Sequence, residues 1–435
     1  MTRPQPSPPM NLQHKAEQTL ALMQAQGFDA AMVEASEHAL TELSVAHDQA
    51  TLMRGTQRQK LTLLGLLDGR RASTELGDLR DEAAAQAVQQ LLGAVRAAPQ
   101  DAANAVSQGQ QADILQGPQQ ADPTQLADAI AGLLAWRAAH TPSVTLEEAL
   151  AAHHLQRSHT VTSAGTSLRS QLGWYELMAM GTAREGEQSS SFAFADGSCH
   201  ALDDGLAAVQ RFGIESMLRD LARQVHTQPL AQRFVGDVVL SPGAVASVIG
   251  WLRGQLADMA LISGNSLYLQ RVGQQIASPL LSLHSRFDAP GIAALSADGF
   301  ATPPVGLLRH GRLLTLTPSL YASRKTGLPQ VPLAAAGWAL AAGPDPLAAV
   351  LAGVARGALV GRLSMGMPAP NGDFSAVIKN SFLIDDGRTG PALAEVMITG
   401  NMARMLLDIV AVSQERLDTG ATLLPWVRIG GLHFS

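Results

Sequence analysis

Three histidines stand close together in the chain, His153, His154 and His159, a few residues after Glu147 and Glu148. These are side-chain types that hold divalent metal ions, but their spacing argues against a site. Adjacent residues point apart on a strand or a helix, and no two of the histidines are four apart, the separation that places a pair on one helical face. The cluster reads as a solvated surface. Cys199 followed by His200 offers a thiol beside an imidazole. Sequence neighbours rarely form a thiolate–imidazolium pair, and a nucleophilic cysteine needs a lowered pKa. The expectation is a buried or partly exposed structural cysteine.

Lys325, Thr326 and Gly327 spell the KTG element of penicillin-binding enzymes. That chemistry also needs a serine three residues before a lysine, and none of the four lysines, Lys15, Lys60, Lys325 and Lys379, has one. GxSxG, GxxxxGK[ST] and HExxH are absent as well. No catalytic motif stands out from the residues alone.

The elements that must position any site belong to a chain of 435 residues, long enough for two or three domains. With 46% hydrophobic residues it can fill cores of that size. A net charge of -6 implies no electropositive surface for nucleic acid. The single cysteine cannot form an intrachain disulfide, which fits a reducing compartment, and the expected location is cytoplasmic. Residues 1–10, MTRPQPSPPM, have proline where a signal peptide needs an apolar core and read as a disordered tail. The apolar run from Pro346 to Met367 is broken by Arg356, Arg362 and glycines, so no membrane span is expected.

Periodicity predicts a helix over Leu12–Gln26 stopped by Gly27, a strand over Phe28–Glu34 and another over Leu40–Met53. Asp68 and Gly69 mark a hairpin between Leu61–Leu67 and Arg70–Leu76. Asp78 is expected to cap a helix from Leu79 to Ala98 that Pro99 ends. Residues 11–100 then form an N-terminal α+β domain. Residues 101–122 lack apolar periodicity and read as a linker. A central α+β region, 123–230, holds helices at Thr124–Ala139 and Ile214–Val225 with strands at Leu172–Ala183 and Gln188–Phe194. From 231 to 435 a long helix, Ser241–Asp258, is followed by short apolar runs, including a hairpin at Asp385-Asp386-Gly387 between Ala376–Ile384 and Ala392–Thr399. The fold class is α+β: an N-terminal α/β region with small antiparallel sheets and helices, then a mainly β domain with a curved sheet or open barrel.

Five C-terminal segments in order carry a resemblance: DVVLSP (237–242), RVGQQIASP (271–279), YASRKTG (321–327), NGDFS (371–375) and EVMITGN (395–401). Together they resemble the TldD/PmbA family, also called TldD/TldE metalloproteases or modulators of DNA gyrase. Before residue 230 the similarity rests on pattern. In the zinc-bearing branch of that family the helix after the VVL strand carries HExxxH, and a cysteine near the C-terminus supplies a further ligand. Here Gly250, Trp251 and Gln255 occupy the three motif positions, and ATLLPWV (421–427) has no cysteine. Glycine, indole and carboxamide neither hold the ion nor take a proton from its water.

The chain therefore resembles the metal-free PmbA/TldE branch. That resemblance implies no catalytic or metal-ligating residue and no cofactor in this chain, with zinc in a TldD-like partner subunit. Unfolded peptides or peptide precursors would be the substrate, reached through a cavity enclosed by the heterodimer. Tyr321, Arg324, Asp373 and Asn401 are candidate cavity-lining residues, with Leu328–Gly343 and Ala376–Lys379 departing from the family's composition. A homodimeric peptide- or ligand-binding protein without a protease partner is the alternative, and a catalyst built around Tyr321, Arg324 and Asp373 a third reading.

Overall fold

The computed structural model describes residues 11–334 and 336–435, so the expected tail at 1–10 lies outside the described residues. Helix α1 (Leu12–Ala25) begins at Asn11, whose side chain accepts the His14 amide, and Gly27 ends it with φ 89°. Strands β1 (Ala30–Ala46) and β2 (Gln49–Leu67) then form one long hairpin. Its turn is at His47 and Asp48, so the strand expected over 40–53 straddles a reversal of the chain. No glycine or proline announces that turn. Asp48 holds it from afar, accepting the Leu146 amide at 2.8 Å and pairing with Arg137 at 3.0 Å.

Strand β3 (Arg70–Leu76) follows the expected Asp68-Gly69 turn, where both residues have positive φ. Helix α2 (Asp81–Ala97) starts later than expected, with Arg80 at the N-cap. Asp78 is bonded to the Arg80 amide and guanidinium instead of capping the helix. The stretch read as a linker contains strand β4 (Gln111–Gln116). Helix α3 (Pro123–His140) leads to β5 (Val144–Thr162), β6 (Ser167–Glu185), the short β7 (Gln188–Ser189), β8 (Ala193–Cys199) and α4 (Ile214–Arg223).

These eight strands make one sheet in the order β3-β2-β1-β5-β6-β4, with β7 and β8 also on β6. It curls into a half-barrel. Strands from both sides of residues 101–122 are its neighbours, since β1 pairs with β5 from Met32–Thr162 to Ala46–Glu148. Helices α1 and α2 bury Ala16, Met23, Val88 and Leu91 against Val33, Leu61 and Leu63. Helices α3 and α4 do the same with Leu126, Leu133, Leu218 and Leu221 against Leu146 and Leu177. Each fully buried Leu or Val contributes about 1.5–3 kcal/mol relative to exposure.

The second sheet has 14 strands. In chain order its elements are β9 (Thr227–Gln228), β10 (Phe234–Leu240), α5 (Pro242–Leu256), α6 (Asp258–Ile262), β11 (Leu283–Ser285), β12 (Gly306–Arg309), β13 (Arg312–Leu313), α7 (Leu320–Thr326), β14 (Trp338–Leu340), α8 (Leu347–Ala352) and β15 (Arg356–Val360). There follow β16 (Arg362–Ser364), β17 (Asp373–Lys379), β18 (Phe382–Asp385), β19 (Arg388–Leu393), β20 (Val396–Asn401), α9 (Met402–Leu407), β21 (Ile409–Asp418) and β22 (Thr422–Phe434). Most pairings are antiparallel, but β10–β15, β14–β22 and β19–β9 are parallel. The hairpin at Asp385-Asp386-Gly387 joins β18 to β19 as expected, while β17 and β20 pair with each other alongside. The fold is α+β, as expected. Among the described residues no helix is long and apolar enough to cross a membrane.

Gly173 shows how tightly the first sheet meets its loops. A Cβ there would lie 1.6 Å from the carbonyl oxygen of Pro118, which is backbone and cannot turn aside. Gly173→Ala is expected to destabilise the protein by about 3 kcal/mol, the upper part of the range for overpacking. Urea unfolding of the variant and the parent protein measures it.

Candidate functional site

Helix α5 sits where it does because β10 is locked on both sides, antiparallel to β22 and parallel to β15. The chain leaves β10 at Ser241, which accepts the Ala244 amide and donates its hydroxyl to the Gly361 carbonyl at 2.8 Å. Pro242 fits the first turn because its missing N–H has no partner to lose there. The expected stripe of Val245, Ile249, Leu252 and Leu256 is buried in the C-terminal core.

The other side of α5 carries the three positions of interest. Gly250 is exposed, and a Cβ on it would meet no atom within 4 Å. Trp251 is half-buried, edge-on to Tyr268 with ring centres 6.2 Å apart, and its ring borders Gly372. Gln255 uses its side-chain oxygen to accept the Leu267 amide at 3.0 Å. Positions five apart in a regular α-helix are rotated by about 140° from each other, at 3.6 residues per turn. They come onto one face where a turn widens to the π form, and α5 is α-helical throughout. The residues present do not fit a zinc ion, in donor type or in placement.

Asp373 and Asn401 stand together on the neighbouring β17–β20 pair. Asn401 donates to Asp373 at 2.8 Å and to the Asn371 carbonyl at 2.9 Å, while the Asn371 amide donates to the other Asp373 oxygen at 2.7 Å. These bonds, first that from Asn401, hold the Asp373 carboxyl below its ordinary pKa. The result is a carboxylate fixed beside Gly372 and hence beside Trp251.

Tyr321 and Arg324 do something different. The Tyr321 hydroxyl and the Lys325 ammonium both donate to Asp101 Oδ2 at 2.7 Å, and Arg324 donates to the Ala102 carbonyl at 2.9 Å. Helix α7 is thereby latched to the loop between α2 and β4. Gln116 adds to this junction by donating to the Phe287 and Ala289 carbonyls, and Gly291 lies against the ring of Trp174.

The three histidines are not a solvated surface. His153 and His159 are buried in β5, bonded to the Pro118 carbonyl and the Ser167 hydroxyl at 2.9 Å each. His154 lies between His38 Nε2, at 3.0 Å, and Glu176, at 2.9 Å, and stacks on Trp174. Burial, then the neighbouring His154 and Arg58, pushes the His38 pKa down. His38 and Glu176 come from β1 and β6, and no spacing along the chain announces their meeting with His154. Among the described residues no three His, Cys, Asp or Glu side chains converge as a metal site would require. Burial pushes the Cys199 thiol up to about 11, which removes the thiolate a nucleophile needs.

Two clefts, of about 390 and about 320 Å³, lie away from α5, between the start of α1 and the strands β4, β5 and β6. Arg169 and Asp113 border both. Polar and charged residues predominate among those lining them, with Ala112 and Leu12 the apolar exceptions, in contrast to the apolar and aromatic side chains usual at a small-molecule site.

Residues 234–435 match the PmbA/TldA metallopeptidase C-terminal domain. By that domain the C-terminal part of the chain, just under half of its length, is assigned to the PmbA/TldA metallopeptidase group. Its fold, over 97% of its length, is similar to that of TldE from Thermococcus kodakarensis, with a TM-score of 0.81, 16% identity and 100% of that chain covered. It is also similar to a candidate modulator of DNA gyrase from Bacteroides thetaiotaomicron, with a TM-score of 0.84, 20% identity and 98% of that chain covered. A third structure, described in the same words, from Thermotoga maritima gives 0.77 and 16%, with all of that chain covered. Comparison with curated proteins gives no match.

The α7 latch has a pH signature. Bonds to Asp101, first from Lys325, lower its pKa from 3.8 to about 2. A carboxyl depressed in the folded state adds stability that is present above its unfolded pKa and is lost as pH falls through the folded one. Asp101→Asn is expected to lower the melting temperature at pH 5–7, and the difference from the parent protein to shrink between pH about 4 and about 2. Calorimetric scans of both proteins across that range check it.

Proposed function

We propose that this chain is the metal-free, non-catalytic subunit of a TldD/TldE-like heterodimeric metallopeptidase acting on unfolded peptides or peptide precursors. One observation carries the reading. The family's C-terminal domain is present, yet its helix offers Gly250, Trp251 and Gln255 on a regular α-helical turn, with neither ligand atoms nor a general base. Bond cleavage then falls to a related chain that bears HExxxH and binds zinc. The work left to this subunit is structural: it completes the enclosure and presents backbone edges to extended peptide.

Separate purification and remixing test this. The chain alone is expected to leave an unfolded casein substrate intact. Addition of an HExxxH-bearing, zinc-loaded member of the family is expected to give hydrolysis that a chelator abolishes. Chelator-sensitive hydrolysis by this chain alone would overturn the proposal.

Restoring the motif should not restore the site. The triple variant Gly250→His, Trp251→Glu, Gln255→His is expected to bind less than about a tenth of an equivalent of zinc after dialysis, because its two imidazoles lie about 140° apart around α5. Elemental analysis gives the stoichiometry, and one full equivalent would refute the geometric account.

A further inference from the structure

The cleft of about 320 Å³ is bordered by the first residues of α1, by His159 on β5 and by Arg169 on β6. Its wall is rich in donors without acceptors. The amides of Leu12 and Gln13 open a helix of 14 residues, where no intrahelical carbonyl can reach them, and they have no acceptor among the described residues. The Asn11 side chain caps only the next amide, that of His14. No acidic residue stands in the first turn to meet the positive end of the helix.

His159, in the wall of the same cleft, is a second and independent sign of a ligand. It is 2% exposed, and its Nε2 lies 2.9 Å from the Ser167 hydroxyl while Nδ1 is buried with no partner among the described residues. Burial, then Arg169, pushes its pKa down against the opposing pull of Glu17 and Asp113, so at neutral pH the ring is uncharged and carries one proton. When Ser167 donates to Nε2, that proton sits on Nδ1. A buried N–H without an acceptor costs stability, and a ligand atom that accepts from it removes the cost.

The two arginines of the cleft are not equally engaged. Arg157 is bonded to Glu37 at 3.1 Å, whereas Arg169 donates to the Gln13 side chain and stands 3.7 Å from Asp113, beyond hydrogen-bond reach. Arg169 thus keeps donors for a further acceptor. We propose that this cleft binds a carboxylate, received by the Leu12 and Gln13 amides, the Arg169 guanidinium and the His159 ring N–H. Polar walls that do not suit an apolar ligand suit an anion at a helix start. The planar fork of Arg169 matches the two oxygens of a carboxylate. Asp113 borders the cleft as well, and its charge repels a phosphate dianion more than a carboxylate monoanion.

Isothermal titration of the full-length chain with N-acetylglycine, its neutral amide N-acetylglycinamide and inorganic phosphate tests the site. Expected is binding of N-acetylglycine with a Kd of about 1 mM or lower, none of the amide, and phosphate weaker than N-acetylglycine. Arg169→Gln, at an exposed position, raises that Kd about tenfold or more, and Arg388→Gln, equally exposed on β19 of the other sheet, leaves it unchanged, with all three proteins melting at similar temperatures. In protein carrying isotope-labelled histidine, the magnetic resonance signals of the His159 ring nitrogens shift as the site fills. Absence of N-acetylglycine binding, equal binding of its amide, or indifference to Arg169→Gln overturns the proposal. Phosphate binding more tightly than N-acetylglycine overturns the carboxylate class. Binding that moves no His159 signal places the ligand elsewhere and overturns the site.

Discussion

Strand β22 is the constraint on which the C-terminal half depends. It hydrogen-bonds to β10, β14, β20 and β21, so residues from 234 to 434 can settle only around it. Its pairing with β10 runs from Phe234–Phe434, whose rings stack at 4.5 Å, to Leu240–Val427. Asp237 on β10 is joined to Arg428 on β22 by two short contacts, 2.6 and 2.7 Å. With β10 fixed, Ser241 and Pro242 turn the chain onto the sheet and α5 must lie along it. Gly250, Trp251 and Gln255 are then carried on the side of the helix away from its buried stripe.

The same helix answers first to a packing requirement. Its buried stripe fills the core that any member of the fold must fill, so the helix persists whatever its outer face carries. On that outer face Trp251 has found ordinary partners in Tyr268 and Gly372, and Gln255 caps the Leu267 amide. Each satisfies polarity or fills space. Neither donates an electron pair to a cation.

The two halves meet through polar contacts of moderate number and specific geometry. Asp101 receives two donors from α7, and Gln116 binds carbonyls of the loop after β11. Such junctions resemble transient interfaces more than cores. Tyr321 and Arg324, which the family motif singles out, are therefore engaged in holding one sheet to the other. Asp373 and Asn401 bond to one another beside α5.

Local signals in the sequence settled what local physics decides. Gly27, Asp68-Gly69, Pro99 and Asp385-Asp386-Gly387 stop helices or turn strands through their own backbone preferences, and the buried face of α5 follows from its spacing of four apolar residues. The absence of ligand atoms at 250, 251 and 255 is likewise a property of the sequence alone. Tertiary structure decided the rest. Residues 147–155, EEALAAHHL, are helix-forming types, yet they lie in β5 because β1 and β6 pair with them on both sides. The turn at His47-Asp48 depends on Arg137 and Leu146, about a hundred residues away in the chain. The burial of His153 and His159 is hidden from the sequence for the same reason: it is a property of the sheet in which β1 and β6 flank β5, and spacing within one strand cannot report it.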